Sequence, residues 1–153
     1  MTTRATTLGM RSAAVAMACA ATLGASAVPA FAADGGRSFS TTLLGANEVP
    51  MMGDPDGKGT ASVTINLGKK RLCYSITVSG IAPATGAHIH EAPKGVAGPI
   101  VVGLEPPTDG TSSGCITTLS RAQLKEIAKD PSDYYVNVHN AEYPGGALRG
   151  QLG

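Results

Sequence analysis

The chain is poor in aromatic residues and in charge. Its 153 residues include no tryptophan, only 4% aromatic and 15% charged residues, and the formal net charge is +1. A charge so close to zero argues against a nucleic-acid-binding protein, which normally carries a basic stripe. Few charges combined with 42% hydrophobic residues also argue against a disordered chain. The length fits a single domain.

Long hydrophobic runs are also missing beyond residue 33, where none approaches the ~20 residues of a membrane-spanning helix. The beginning of the chain is different. Arg4 and Arg11 precede an alanine-rich apolar run, and the sequence AFA at 30–32 has the small-x-small pattern of a cleavage site. This order predicts a secretory signal peptide over residues 1–32 and a mature domain over 33–153. We therefore expect a secreted, extracellular protein with no membrane span after the signal peptide is removed.

The chain has only three cysteines, and Cys19 lies inside the predicted signal peptide. The mature domain keeps Cys73 and Cys115, and export would place both in an oxidising compartment, where a pair normally forms a disulfide. A bond closing a loop of this length would contribute about 4 kcal/mol in the chain-entropy description. The alternatives are two buried thiols or a metal site that uses one thiolate.

Short segments with alternating apolar and polar residues, separated by Gly, Pro and Asp turns, predict about eight strands. The predicted segments are 38–44, 61–67, 72–78, 87–90, 100–104, 115–119, 134–139 and 147–152.

One short helix is predicted near residues 120–129. Ser120 and Gln123 have the spacing of a capping box, and the sequence Asp130-Pro131 ends the helix. The fold class that we expect is all-β, an antiparallel Greek-key sandwich or barrel of about eight strands with this one helix.

Histidine is as rare as cysteine. The three histidines are His88, His90 and His139. Side chains alternate between the two faces of a strand, so His88 and His90 share one face, opposite Ala87 and Ile89. By the same alternation His139 lies opposite Val138 and also points away from the core. Three imidazoles suit Cu, Zn, Fe or Ni. The competing interpretation is three unrelated surface histidines.

Several segments, taken in order, resemble the CHRD (chordin-type) domain. The strongest match is the tail, with YVNVH at 135–139 and YPGGALRGQL at 143–152. The sequences LLGANEVP at 43–50, AHIH at 87–90 and AGPIVV at 97–102 also match. One departure is Met51, where the family usually has a second proline.

The resemblance implies a secreted β-barrel with a distant similarity in fold to copper/zinc superoxide dismutase. It places His88, His90 and His139 at positions that match three copper ligands of that enzyme, and it loosely matches Arg149 to the residue that guides its anionic substrate. No fourth histidine is present to bridge copper to zinc, so a zinc-linked dismutase is excluded by ligand count.

Two functions therefore compete. The first is a secreted CHRD-domain protein that acts as an extracellular binding or structural module without catalysis, with an unidentified ligand. The second is an extracellular copper-binding protein with a three-histidine site and superoxide-directed redox activity. A hydrolase is set aside, because the G-x-S-x-G pattern at 110–114 lacks the strand before it and the helix after it.

Overall fold

The computed structural model describes residues 1–2 and 35–153. The predicted signal peptide, beyond its first two residues, lies outside the described part of the chain, and so does Cys19. Within the described residues, no helix is long and apolar enough to cross a membrane.

Eight antiparallel strands form one nearly closed, barrel-like sheet, as the sequence predicted. Their order across the sheet is β5-β4-β7-β8-β1-β2-β3-β6. The strands are β1 (Arg37–Leu44), β2 (Lys58–Asn66), β3 (Arg71–Ser79), β4 (Ala84–Glu91), β5 (Ile100–Leu104), β6 (Thr111–Ile116), β7 (Tyr134–Asn140) and β8 (Leu148–Gln151).

The sixth strand lies a few residues earlier than predicted. β6 pairs with β3 from Thr111 opposite Thr77 to Ile116 opposite Leu72. Leu119, predicted to end this strand, is instead 8% exposed and belongs to the hydrophobic core next to the helix. The first residues of β6 are polar or glycine, so the alternation of apolar and polar residues does not reveal where this strand begins. An edge strand does not need a strongly apolar face.

The helix α1 (Arg121–Lys129) begins where the capping box predicted. Gln123 N–H donates to Ser120 Oγ at 3.1 Å, and Ser120 N–H donates to Gln123 Oε1 at 3.0 Å. Leu124 and Ile127 are buried and pack into the core of the sheet. The capping box therefore fixes the start of the helix, and the amphipathic pattern fixes the face that it buries.

The core is mainly aliphatic, as the scarcity of aromatic residues predicts. On β7, Tyr134, Val136 and Val138 belong to the core, and their neighbours Tyr135, Asn137 and His139 do not. This alternation confirms the predicted assignment of faces.

Cys73 and Cys115 form a disulfide that joins directly opposed residues of β3 and β6. Neither cysteine belongs to the hydrophobic core cluster, and Cys115 is exposed. The predicted disulfide is therefore confirmed, and it lies on the face of β3 opposite Leu72 and Tyr74, although Cys73 itself is only 3% exposed.

Candidate metal centre

The three histidines lie on the outer face of two paired strands. In the register of β4 and β7, His88 is opposite Asn137, His90 is opposite Tyr135, and His139 is opposite Gly86. Ala87 and Ile89, on either side of His88 along β4, are fully buried in the core. The core side of β4 therefore fixes the direction of both imidazoles.

This register brings one nitrogen of each imidazole into a single cluster. The three candidate ligand nitrogens lie within 4.8 Å of one another, and His88 Nδ1 is 3.1 Å from His139 Nε2. Nitrogens that share an ion at bonds of about 2 Å can be up to about 4 Å apart. The cluster fits a metal ion after a side-chain movement of about 1 Å. Whether these residues do bind metal stays a prediction at this point.

Backbone carbonyls fix which nitrogen of two histidines carries the proton. His90 Nδ1 lies 2.8 Å from Gly98 O, and His139 Nδ1 lies 3.0 Å from Pro144 O. A carbonyl oxygen only accepts, so in each ring Nδ1–H donates and a neutral ring keeps a lone pair on Nε2. In both residues, Nε2 is the atom that faces the cluster.

Asn137 lies between these two nitrogens. Its Oδ1 is 3.0 Å from His90 Nε2 and 3.0 Å from His139 Nε2. Three lone-pair atoms therefore converge with no hydrogen between them. Such a convergence is repulsive unless the amide is turned over or a cation lies among the atoms.

Burial favours the neutral form of His88 and His139. It lowers the pKa of His88, and the neighbouring His139 and His90 rings lower the same pKa further. Burial also lowers the pKa of His139, against the opposing hydrogen bond to Pro144 O. Neutral imidazoles are the form that binds a metal ion, so the site loses little to competing protons near neutral pH.

A loop over 92–99 covers His90, so only 8% of that residue is exposed. Besides the bond from His90 to Gly98 O, Gly98 N–H donates to Tyr135 Oη at 3.1 Å. Gln151 Nε2 donates to Ala92 O at 2.8 Å. The prediction that all three histidines point away from the core is confirmed, but His90 is not at the surface because this loop lies over it.

Arg149 also binds the 92–99 loop. Its Nη2 donates to Pro93 O at 3.2 Å, and its guanidinium carbon lies 3.4 Å from the centre of the Tyr135 ring. The other face of that ring stacks on His90 with 4.8 Å between centroids. Arg149 is only 2% exposed. Its anion-guiding role stays a prediction, and an anion from solvent would reach it only if the loop moved.

A buried carboxylate lies on the far side of Asn137. Glu48 is 5% exposed, and the Asn137 side chain and the Val49 N–H favour its ionised form. Burial raises the pKa of Glu48 to about 7, although Arg149 and these two groups oppose the shift. Glu48 Oε1 and Arg149 Nη1 have no hydrogen-bond partner among the described residues.

Sequence reasoning identified the three histidines and overlooked the residues around them. Asn137 and Tyr135 share the outer face of β7 with His139, so strand alternation could have placed both at the site. Glu48 and Gly98 lie outside the strands of the site, and no periodicity connects them to it. Their contribution depends on how two loops fold back over the sheet.

The comparisons with known proteins support the resemblance found in the sequence. A family model described as the CHRD domain matches residues 39–152. No curated protein and no solved structure matches the chain. The distant similarity to the superoxide dismutase fold therefore stays a prediction.

Proposed function

The chain belongs to the CHRD domain family, and on that premise we propose that it is a secreted binding module whose ligand is a single copper ion held by His88, His90 and His139. The family supports an extracellular-type binding module in general. Copper, secretion and the ligand set are the proposal.

The convergence of lone pairs carries this proposal. The two Nε2 atoms point to one place because Gly98 O and Pro144 O hold the Nδ1 protons of His90 and His139. His88 supplies the third nitrogen through Nδ1, at 3.1 Å from His139 Nε2. In the loaded site the proton of His88 would be on Nε2, because its Nδ1 must offer a lone pair to the ion.

Copper is favoured among the metals that imidazole can bind. Tetragonal sites built from nitrogen and oxygen ligands are typical of Cu(II) and Ni(II), and Cu(II) binds most tightly in the first-row series. Bound copper would supply a redox couple between Cu(II) and Cu(I). The residues of this chain would bind the ion, fix the tautomers of two ligands and shield His90 from water.

We propose binding without catalysis as the function. Arg149, the residue matched to a substrate-guiding arginine, is covered and bonded to Pro93 O and Gln151 Oε1. A binding module needs only the ligands, whereas a dismutase also needs a route for superoxide to the ion.

Titration of the purified, tag-free chain with Cu(II) and with Zn(II) tests the proposal. We expect one Cu(II) per chain, bound more tightly than Zn(II), and loss of this binding in a His88→Ala, His90→Ala double variant. Lys94→Ala, an exposed change on the covering loop, is the control and should bind as the native chain does. Equal Cu(II) affinity in the native chain and the double variant would refute the metal site.

Superoxide consumption by the copper-loaded chain separates the two candidate functions. We expect a rate no higher than that of the copper-treated His88→Ala, His90→Ala double variant, which measures the background of weakly bound copper. A rate that depends on His88 and His90 and far exceeds this background would assign the superoxide-directed function instead.

A further inference from the structure

The contacts of Asn137 reach beyond the three histidines. This side chain is 3% exposed and is the only group among the described residues whose oxygen lies at 3.0 Å from two of the three candidate ligand nitrogens. Within the site its neighbours are ring nitrogens on one side and the Glu48 carboxylate on the other.

We propose that the carboxamide oxygen of Asn137 is a fourth ligand of the ion, and that Glu48 holds the amide so that this oxygen faces the histidines. The inference rests on the proposed copper site and deepens it from three nitrogens to three nitrogens and one oxygen.

The spacing of the atoms supports a four-atom ligand set. His88 Nδ1 to His139 Nε2 is 3.1 Å, and Asn137 Oδ1 is 3.0 Å from each of the two Nε2 atoms. Two ligands at right angles on an ion with bonds of about 2 Å are about 3 Å apart. His90 and His139 are the most widely separated rings, with 6.5 Å between centroids, and Asn137 lies between them. A tetragonal arrangement with nitrogen and oxygen ligands is what Cu(II) prefers.

The hydrogen bonds of the amide support the same orientation. With Oδ1 toward the histidines, Nδ2 is the atom available to donate to the Glu48 carboxylate, whose pKa the Asn137 side chain lowers. If the amide were turned over, Nδ2 could donate to the Nε2 atoms, but Oδ1 would face the carboxyl group of Glu48, which only accepts when it is ionised. With Glu48 ionised, each orientation in the metal-free protein therefore leaves acceptors in contact. An ion among the three lone-pair atoms removes the conflict and keeps Nδ2 toward Glu48.

Glu48 is held in place for this role by close packing. A Cβ atom on Gly146 would overlap the carboxyl group of Glu48, so the backbone of the 141–147 loop lies directly against it. Gly146 also has a backbone φ of +142°, which residues with a side chain rarely adopt. Glu48 acts through Asn137 and is a positioning residue.

Electron paramagnetic resonance of the Cu(II)-loaded chain tests the ligand directly, with no substitution. In protein labelled with ¹³C-asparagine, coordination through Oδ1 should give a ¹³C coupling from the carboxamide carbon in pulsed spectra. The absence of any such coupling would overturn the proposal.

Substitutions test the energetic consequence. We expect Asn137→Leu to weaken Cu(II) binding at least tenfold and to change the copper spectrum, and Asn137→Asp to bind at least as tightly as the native chain. The matched control is Asn140→Leu, also on β7 and 1% exposed, whose Oδ1 accepts from Tyr143 N–H instead. Native affinity and an unchanged spectrum in Asn137→Leu would overturn the proposal.

Glu48→Gln tests the positioning role. Outer partners of metal ligands commonly change affinity by about 10- to 100-fold. We expect a loss of Cu(II) affinity in this range together with a mixed copper spectrum. A glutamine at position 48 can present either its oxygen or its NH₂ group to Asn137, so it no longer selects one orientation of the Asn137 amide. A native spectrum would overturn the role of Glu48. If the native chain binds no copper, the three-histidine site itself is refuted. If copper binding depends on the histidines but is unchanged in Asn137→Leu, only the fourth ligand is refuted.

Discussion

At the scale of single residues, the site combines neutral bases with a carboxyl group that burial makes costly to ionise. His88 and His139 have lowered pKa values, and Glu48 has a raised one. All three shifts have burial as their largest cause. The same cause acts in opposite directions on the two kinds of group, because it always disfavours the charged form.

Glu48→Gln should change how stability depends on pH. The pKa of Glu48 rises from 4.5 to about 7 on folding, so the native chain loses stability as the pH rises through that window. Glutamine stays neutral, so the metal-free variant should become more stable than the metal-free native chain above pH 7, by up to about 3 kcal/mol. Shifts of the histidines occur in both proteins and cancel in the difference.

Urea unfolding of the chelator-treated proteins at about pH 5 and about pH 8 measures this effect. Glu142→Gln is the control, because this glutamate is exposed on a loop next to the site. Its unfolding free energy relative to the native chain should be the same at both pH values. A Glu48→Gln difference that is equally independent of pH would contradict the account of Glu48.

At the scale of elements, the 92–99 loop determines the environment of His90. Gly98 lies so close to Glu91 O that a Cβ atom would overlap this oxygen. Its carbonyl can reach His90 Nδ1 only because the backbone passes this close.

Gly98→Ala should therefore displace the loop. The Gly98 carbonyl would then no longer keep the proton of His90 on Nδ1. We expect Cu(II) affinity to fall about tenfold, as for loss of an outer hydrogen bond to a metal-bound histidine, together with a lower melting temperature. Gly103→Ala is the matched control, because a Cβ atom on this β5 glycine meets nothing within 4 Å. Equal copper affinity in the two variants would show that the loop does not govern His90.

The sequence predicted the elements better than their contacts. Alternation assigned the two faces of β4 and β7 correctly, because the direction of each side chain depends only on its position along its own strand. Both valines of β7 lie in the core, as this alternation predicts. The capping box located the start of α1 for the same local reason. The loop over His90 could not be predicted, because it depends on Gln151 and Arg149 reaching residues 56 or more positions away. Pairing over such distances depends on the closed sheet as a whole.

At the scale of the whole molecule, a small aliphatic core is supported by one covalent bond. The disulfide between Cys73 and Cys115 spans 42 residues and joins β3 to the edge strand β6. Domains of this size are stable by only about 5–15 kcal/mol, so one crosslink is a large fraction of the total.

Replacing both cysteines, as Cys73→Ala and Cys115→Ala, should lower the unfolding free energy by about 4 kcal/mol. Ser75→Ala with Ser113→Ala is the matched control, since these residues form a directly opposed pair on the same two strands. Denaturant unfolding of both double variants measures the difference. A cysteine variant as stable as the serine variant would contradict the assigned role of the disulfide.

The most direct test of the central claim is a crystal structure of the copper-loaded protein with anomalous scattering measured at the copper edge. We predict one strong peak about 2 Å from His88 Nδ1, His90 Nε2 and His139 Nε2. A fully loaded crystal with no peak between these nitrogens, or with copper bound only elsewhere, would contradict the account.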